Sequence, residues 1–129
     1  MNALLDTHVL LWLVDDPARL PSRVAELCED ERNELTVSIA SFWEIAIKMS
    51  LGKIELTDNA LARLKNWCDE NAVRIMPLEV AHCRQVQALP FHHRDPFDRL
   101  LIAQAVQGHL AVISADRHFQ AYGPTVIWN

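Results

Sequence analysis

The sequence is poor in the features that would mark a membrane protein, a secreted scaffold or a zinc site. Its longest unbroken apolar run, Val9 to Val14, is far shorter than the roughly 20 residues that span a bilayer. No basic N-terminal stretch leads into an apolar region with a small-residue cleavage site. A soluble, cytoplasmic protein without membrane association is expected. Cysteine is scarce: Cys28, Cys68 and Cys83 are odd in number, widely spaced and without a C-x-x-C, which suits reduced, mostly buried thiols and not a disulfide framework. The six histidines never fall in H-x-x-x-H or H-E-x-x-H order, so zinc is not expected. Positive charge is also in short supply, with 12 Lys and Arg against 17 Asp and Glu and a net charge of −5. Binding nucleic acid by counterion release normally demands a basic surface. Any action on nucleic acid must therefore use a local basic patch and bound cations, and a tight protein partner should be basic.

What remains is one domain over residues 1–129, half of it hydrophobic, with no repeat, no low-complexity segment and no room for a linker. Short apolar runs alternate with helical patterns. Strands are expected at Ala3 to Leu5, Leu35 to Ser38, Val73 to Met76, Ala111 to Ser114 and Val126 to Trp128. Helices are expected at Thr7 to Val14, Ser22 to about Arg32, Ser41 to Leu51 before Gly52, from a Thr57 or Asp58 cap to Glu70, at Val80 to Leu89 and at Pro96 to Gln107, closing at Gly108. Strands separated by helices need crossover connections, so the fold class is α/β with a mostly parallel sheet covered on both faces.

In such a sheet, functional groups collect at the carboxyl ends of strands near the point where strand order reverses. Asp6 ends the first strand. Glu44 falls in the first turn after the second, and Asp98 in the first turn of the helix opened by Asp95 and Pro96 in "HRDPFDRLLIAQA". Asp116 lies two residues past Ser114. Four carboxylates would crowd one edge, where like charges raise one another's pKa unless divalent cations occupy the cluster. Hard oxygen ligands suit Mg²⁺ or Mn²⁺.

Each residue also has a purely structural reading. Glu44 forms S-x-x-E with Ser41, the pattern of a capping box, and an i,i+4 pair with Lys48. Asp98 can be a helix-start carboxylate and Asp116 can open a turn. Asp6, directly after an apolar strand, is harder to explain that way, and the joint placement favours a site. The Trp43, Ile47, Leu51 stripe reads as core packing, Glu29 to Glu31 as a solvated face, and His92 and His93 as loop residues.

Four motifs, "LLDTHVLLW" (4–12), "SFWEIAIKMSLGK" (41–53), "HRDPFDRLLIAQA" (93–105) and "SAD" (114–116), resemble the PIN-domain ribonucleases, most closely the VapC-like toxins paired with Phd- or VapB-type antitoxins. The resemblance spans essentially the whole chain. It implies a PIN-like three-layer α/β/α sandwich, an Asp6, Glu44, Asp98 and Asp116 cluster binding Mg²⁺ or Mn²⁺, and hydrolysis of RNA phosphodiester bonds until a cognate antitoxin blocks the site. It also implies a twofold homodimer. The chain departs from many relatives in having Arg117-His118 where they carry a further acidic or amide residue. Beside the cluster, His93, Arg94, Arg99 and Arg117 are the candidates for positioning RNA phosphates.

Two other classes can be set against this reading. A haloacid-dehalogenase-type phosphatase needs D-x-D after the first strand, and "DTH" puts His8 in the third place. A non-catalytic PIN-like module could instead dock a basic partner on its acidic edge. A chain that binds an arginine-rich peptide and cuts no RNA with Mn²⁺ would be of that kind.

Overall fold

The short apolar run at the N-terminus becomes the centre of a five-stranded sheet in a computed structural model that describes residues 1–129. Strand β1 (Asn2–Leu5) is bonded on one side to β2 (Glu34–Ser38) and on the other to β4 (Ala111–Ile113). The edges are β3 (Arg74–Met76) beside β2 and β5 (Val126–Ile127) beside β4, giving the order β3-β2-β1-β4-β5 with every pair parallel. Six α-helices connect the strands: α1 (Thr7–Asp15), α2 (Ser22–Glu29), α3 (Ile39–Ser50), α4 (Ala60–Glu70), α5 (Val80–Ala88) and α6 (Pro96–Gly108). Two 3₁₀ turns, Pro17–Arg19 and Arg117–Tyr122, complete the chain. No helix is long and apolar enough to cross a membrane.

The pleat of β1 explains the three layers. Ala3 and Leu5 point into a core shared with Val9 and Leu10 of α1, Val24 of α2, Ile45 of α3 and Leu64 of α4. Leu4 points the other way, onto Leu101, Ile102 and Ala105 of α6, with Val112 and Phe119. Alternation by two in one strand thus fixes which helices cover which face. Strand order reverses at β1, because the chain leaves it for β2 and returns on its other side as β4. In register, Leu5 lies opposite both Val37 and Ile113.

Several boundaries differ from the sequence expectation. Helix α2 stops at Glu29, where Asp30 accepts bonds from the backbone and guanidinium of Arg32. The cap of α4 is Asn59, with Thr57 donating to its side chain at 2.9 Å. Helix α6 runs through Gly108, one residue past its expected end at Gln107, and His109, at φ 53, makes the left-handed turn that ends it. Helix α3 starts at Ile39, with Ser38 as N-cap accepting from the Ala40 N–H. Ser41 and Glu44 are therefore inside that helix and form no capping box. The earlier start also sets which face is buried. Ala40, Ser41, Glu44 and Ile45 turn inward, while Trp43 is 59% and Leu51 62% exposed, so that stripe is not core.

Arg99 is the largest departure. A surface cation aimed at phosphate was expected, but the side chain is 6% exposed. Its guanidinium donates to the carbonyls of Pro90 (2.8 Å), His93 (3.3 Å), Val86 (3.2 Å) and Leu89 (3.2 Å), and to the Tyr122 hydroxyl (3.4 Å). The Phe91 ring lies 4.2 Å from its central carbon. No face is left for RNA. Position 99 lies one turn inside α6, and a long, five-donor side chain there can reach back to the loop carbonyls of Leu89, Pro90 and His93, adding a second donor to Val86, which already accepts the Leu89 N–H. Arg99→Met, which keeps the apolar stem and removes the donors, should cost about 2–4 kcal/mol by leaving the Leu89, Pro90 and His93 carbonyls without their donor. Denaturant unfolding checks this, and a variant within 0.5 kcal/mol of wild type would contradict the role (about the scatter of ordinary surface changes).

Candidate active site

The end of β1 delivers Asp6 to the gap between β1 and β4. Its backbone N–H still bonds the Ile113 carbonyl (3.1 Å), so its position is an extension of the sheet ladder. Its side chain then caps α1, accepting from the Val9 N–H at 2.9 Å, while the second oxygen accepts from the Ser114 hydroxyl. Burial pushes the Asp6 carboxyl above its usual range, against the lowering effect of those bonds. Ser114, fully enclosed at the end of β4, also accepts from the Asp116 N–H (2.9 Å) and so ties both aspartates to one hydroxyl.

Glu44 reaches the same gap from the buried face of α3. Thr7 donates to one of its oxygens at 2.8 Å and Lys48 to the other at 2.5 Å. The bond to Glu44 raises the Lys48 ammonium above its ordinary value, with burial opposing. Ser41, the other half of the expected capping box, lies 2.9 Å from the Thr7 hydroxyl. Thr7 was not singled out from the sequence. Its one signal was adjacency, because a hydroxyl directly after a helix-capping aspartate sits at the first helical position and faces the next helix.

Asp95 caps α6 through the N–H groups of Phe97 (2.8 Å) and Asp98 (3.4 Å). Asp98 itself is turned into the gap. Its carboxyl is pushed up to about 7, chiefly by burial and then by repulsion from Asp95, Glu44 and Asp6, with His93 pulling it down. Asp116 caps the Arg117–Tyr122 turn through the His118 N–H at 2.9 Å. Burial would raise it, but bonds from the His118 backbone and ring and from His93 prevail and bring it below the usual carboxylate value.

His93 is half-buried between these last two acids. Its Nδ1 accepts the Asp95 N–H at 3.1 Å, so the ring proton resides on Nε2. That Nε2 lies 3.0 Å from Asp98 Oδ2 and 3.1 Å from Asp116 Oδ2. The expected phosphate contact is replaced in the structure by a bridge between two carboxylates. Arg94 and Arg117, the other two candidates, are exposed beside the site and make no ion pair.

All four expected carboxylates line one cleft of about 300 Å³, with Thr7, His8, Trp12, Lys48 and Asp95. They do not converge as tightly as a shared ion would draw them. The one trio whose donor atoms all lie within 4.8 Å of one another is His93, Asp116 and His118. That trio is not a ready transition-metal site, because the protonated Nε2 of His93 has no lone pair to give. The cleft does suit a hard divalent cation. Five carboxylates, Asp6, Glu44, Asp95, Asp98 and Asp116, face a single ammonium, Lys48, and oxygen is nearly the only donor offered.

Comparison with known proteins agrees with the fold. The PIN domain family matches residues 3–123. Ribonuclease VapC22 of Mycobacterium tuberculosis is 29% identical over 131 residues, covering 98% of each chain. Among solved structures, the VapBC2 complex of Rickettsia felis bound to a promoter DNA fragment superposes with a TM-score of 0.72 at 12% identity, over the full length of both chains. The VapBC-1 structure from nontypeable Haemophilus influenzae gives 0.67 at 16% identity, over 98% of this chain and 97% of that one. An all-parallel sheet in the order β3-β2-β1-β4-β5, with acidic residues at its switch point and a family match along nearly the whole sequence, places this chain in the PIN domain family.

Proposed function

We propose that this chain is a metal-dependent ribonuclease, the toxin of a VapBC-type toxin–antitoxin pair, which hydrolyses RNA phosphodiester bonds in the carboxylate cleft. The observation that carries this reading is the excess of acidic groups in the cleft, five carboxyl groups against one ammonium. The name of the related Ribonuclease VapC22 points the same way. Asp6, Asp98 and Asp116 would hold Mg²⁺ or Mn²⁺, with Glu44 beside them already engaged by Thr7 and Lys48. Bound there, such an ion supplies Lewis-acid activation of water and neutralises charge on the phosphate.

The chain's own residues supply the rest. The Val9 N–H and the Ser114 hydroxyl hold Asp6 in one orientation, and Thr7 does the same for Glu44. His93, its tautomer set by Asp95, orients Asp98 and Asp116 together. Arg94 and Arg117, exposed and unpaired, are placed to meet RNA phosphates outside the acidic floor. The same floor makes inhibition simple, because a Phd- or VapB-type antitoxin that inserts Arg or Lys would satisfy the carboxylates and cover the cleft. Twofold pairing of the chain rests on the resemblance to the VapC-like toxins.

Asp98 gives the first test. Its folded-state value, about 7, lies above the roughly 3.9 of an unfolded aspartate. Its contribution to stability is therefore complete below the unfolded value and is lost as pH rises toward and through 7. Without metal, Asp98→Asn should melt at the wild-type temperature or higher at pH 7.5, gain little from Mn²⁺, and cut RNA at least about 100-fold more slowly. Thermal melts with chelator and with Mn²⁺, beside an RNA-cleavage assay, read all three effects. A variant that is less stable without metal and still cuts RNA would sink the reading.

His93 gives the second. If it orients the carboxylates, His93→Ala should weaken Mn²⁺ binding about 10–100-fold and lower kcat, with little change in KM for RNA. His93→Gln, which keeps an N–H donor, should recover part of the loss. Calorimetric Mn²⁺ titration separates this from a phosphate contact, which would raise KM and leave Mn²⁺ affinity intact.

A further inference from the structure

One wall of the cleft is aromatic, and the acidic machinery does not use it. His8 and Trp12 lie one helical turn apart on α1 and both face the cleft that holds Asp6, Glu44 and Asp98. Their ring centroids are 5.8 Å apart at an interplanar angle of 41°. His8 is exposed and Trp12 half-buried. Behind them Trp128 braces Trp12 at 5.6 Å, and the Arg19 guanidinium lies over the Trp12 ring at 4.6 Å. Arg19 makes no ion pair. A row of π surfaces, its far ring carrying a guanidinium with no carboxylate partner, thus starts two residues after Asp6 and runs along the helix away from it.

Resting on the ribonuclease reading, we infer that His8 and Trp12 form a nucleobase-stacking subsite for an unpaired ribonucleotide next to the scissile phosphate, with Arg19 at its outer end. The argument is one of compensation. A chain of net charge −5 with a carboxylate floor repels the phosphate backbone, so the counterion release that anchors most RNA-binding proteins gives it little. Stacking involves the neutral face of the base and is insensitive to that repulsion. The rings also sit at a suitable distance. His8 and Trp12 are two and six residues beyond Asp6, about 3 and 9 Å along a helix rising 1.5 Å per residue, which is the reach of the nucleotide adjoining the one at the acidic floor. The alternative use of Trp12, as mere core cover, accounts for its packing on Trp128. It does not account for exposed His8 continuing the row toward Asp6, nor for a guanidinium on Trp12 that makes no ion pair.

The test is an abasic scan. A single-stranded oligoribonucleotide of mixed sequence, with its cut site mapped for the wild type, is resynthesised with one abasic nucleotide at each position flanking the cut. Wild type should lose about 10-fold or more in kcat/KM, mainly through KM, at one flanking position. Trp12→Leu and His8→Ala should show a comparable loss on the intact RNA and no further loss at that abasic position. Trp12→Phe, which keeps an aromatic face, should retain most of the wild-type profile, and Mn²⁺-dependent melting shifts of all variants should match wild type. A wild type that cuts RNA with a flat scan, or a Trp12→Leu variant that keeps the full abasic penalty, overturns the subsite alone. Variants with the wild-type profile that instead lose inhibition by an antitoxin peptide assign the wall to a protein partner and overturn it as well. A wild type that cuts none of the RNAs overturns the ribonuclease reading and, with it, the subsite.

Discussion

Repulsion among carboxylates held where β1 and β4 diverge is the constraint around which this fold is arranged. Bringing Asp6, Glu44, Asp95, Asp98 and Asp116 into one cleft would be untenable without local compensation, and the chain supplies it mostly with dipoles. Asp6 caps α1, Asp95 caps α6 and Asp116 caps the last 3₁₀ turn, so three helix starts direct their N–H groups at the cluster. Hydroxyls of Thr7 and Ser114 take part of what remains, and Lys48 supplies the one fixed positive charge. Asp98 is left over. Its carboxyl accepts no backbone N–H and meets only the His93 ring, so burial and the neighbouring acids push it up to about 7.

Adjacent residues on α6 serve opposite ends of this arrangement. Asp98 faces the cleft, while Arg99 is buried and draws in the loop between α5 and α6 through four carbonyls. One of those carbonyls belongs to His93, whose ring returns to Asp98 and Asp116. The segment from Leu89 to Arg99 therefore closes on itself, and the position of His93 is set by a side chain that never touches the site. A cation in the core is stable here because carbonyl dipoles and the Phe91 face replace its water.

Much of this was legible in the sequence. Strands alternating with helices required a parallel sheet, and Asp95 followed by Pro96 marked the start of α6. Asp6 directly after an apolar run marked the end of β1. These signals are local, and local chemistry decides them. What escaped detection was set by packing. The S-x-x-E of Ser41 and Glu44 has the pattern of a cap, yet the helix begins at Ile39, two residues after the last β2 residue paired with β1, Val37, and both side chains turn inward. The apolar stripe of Trp43 and Leu51 has the right period and the wrong phase, and Trp43 packs edge-on against Phe97 at 5.5 Å instead of entering the core. For Arg99 no sequence pattern tells a guanidinium that meets phosphate from one that meets carbonyls, since the two acceptors use the same donors.

The strands are unequal in length, and the inequality has a bearing on how the molecule meets others. The central pair runs to four and five residues, but the margins of the sheet are β3 with three and β5 with two. Such stubs offer a foreign strand too few unpaired amides to template on, which guards against runaway edge-to-edge growth. Recognition is thereby diverted from the backbone to side chains on the helical flanks and loops, where Trp43, Val80 and Phe91 stand out into solvent. Side chains discriminate between partners, whereas bare amides accept nearly any extended chain.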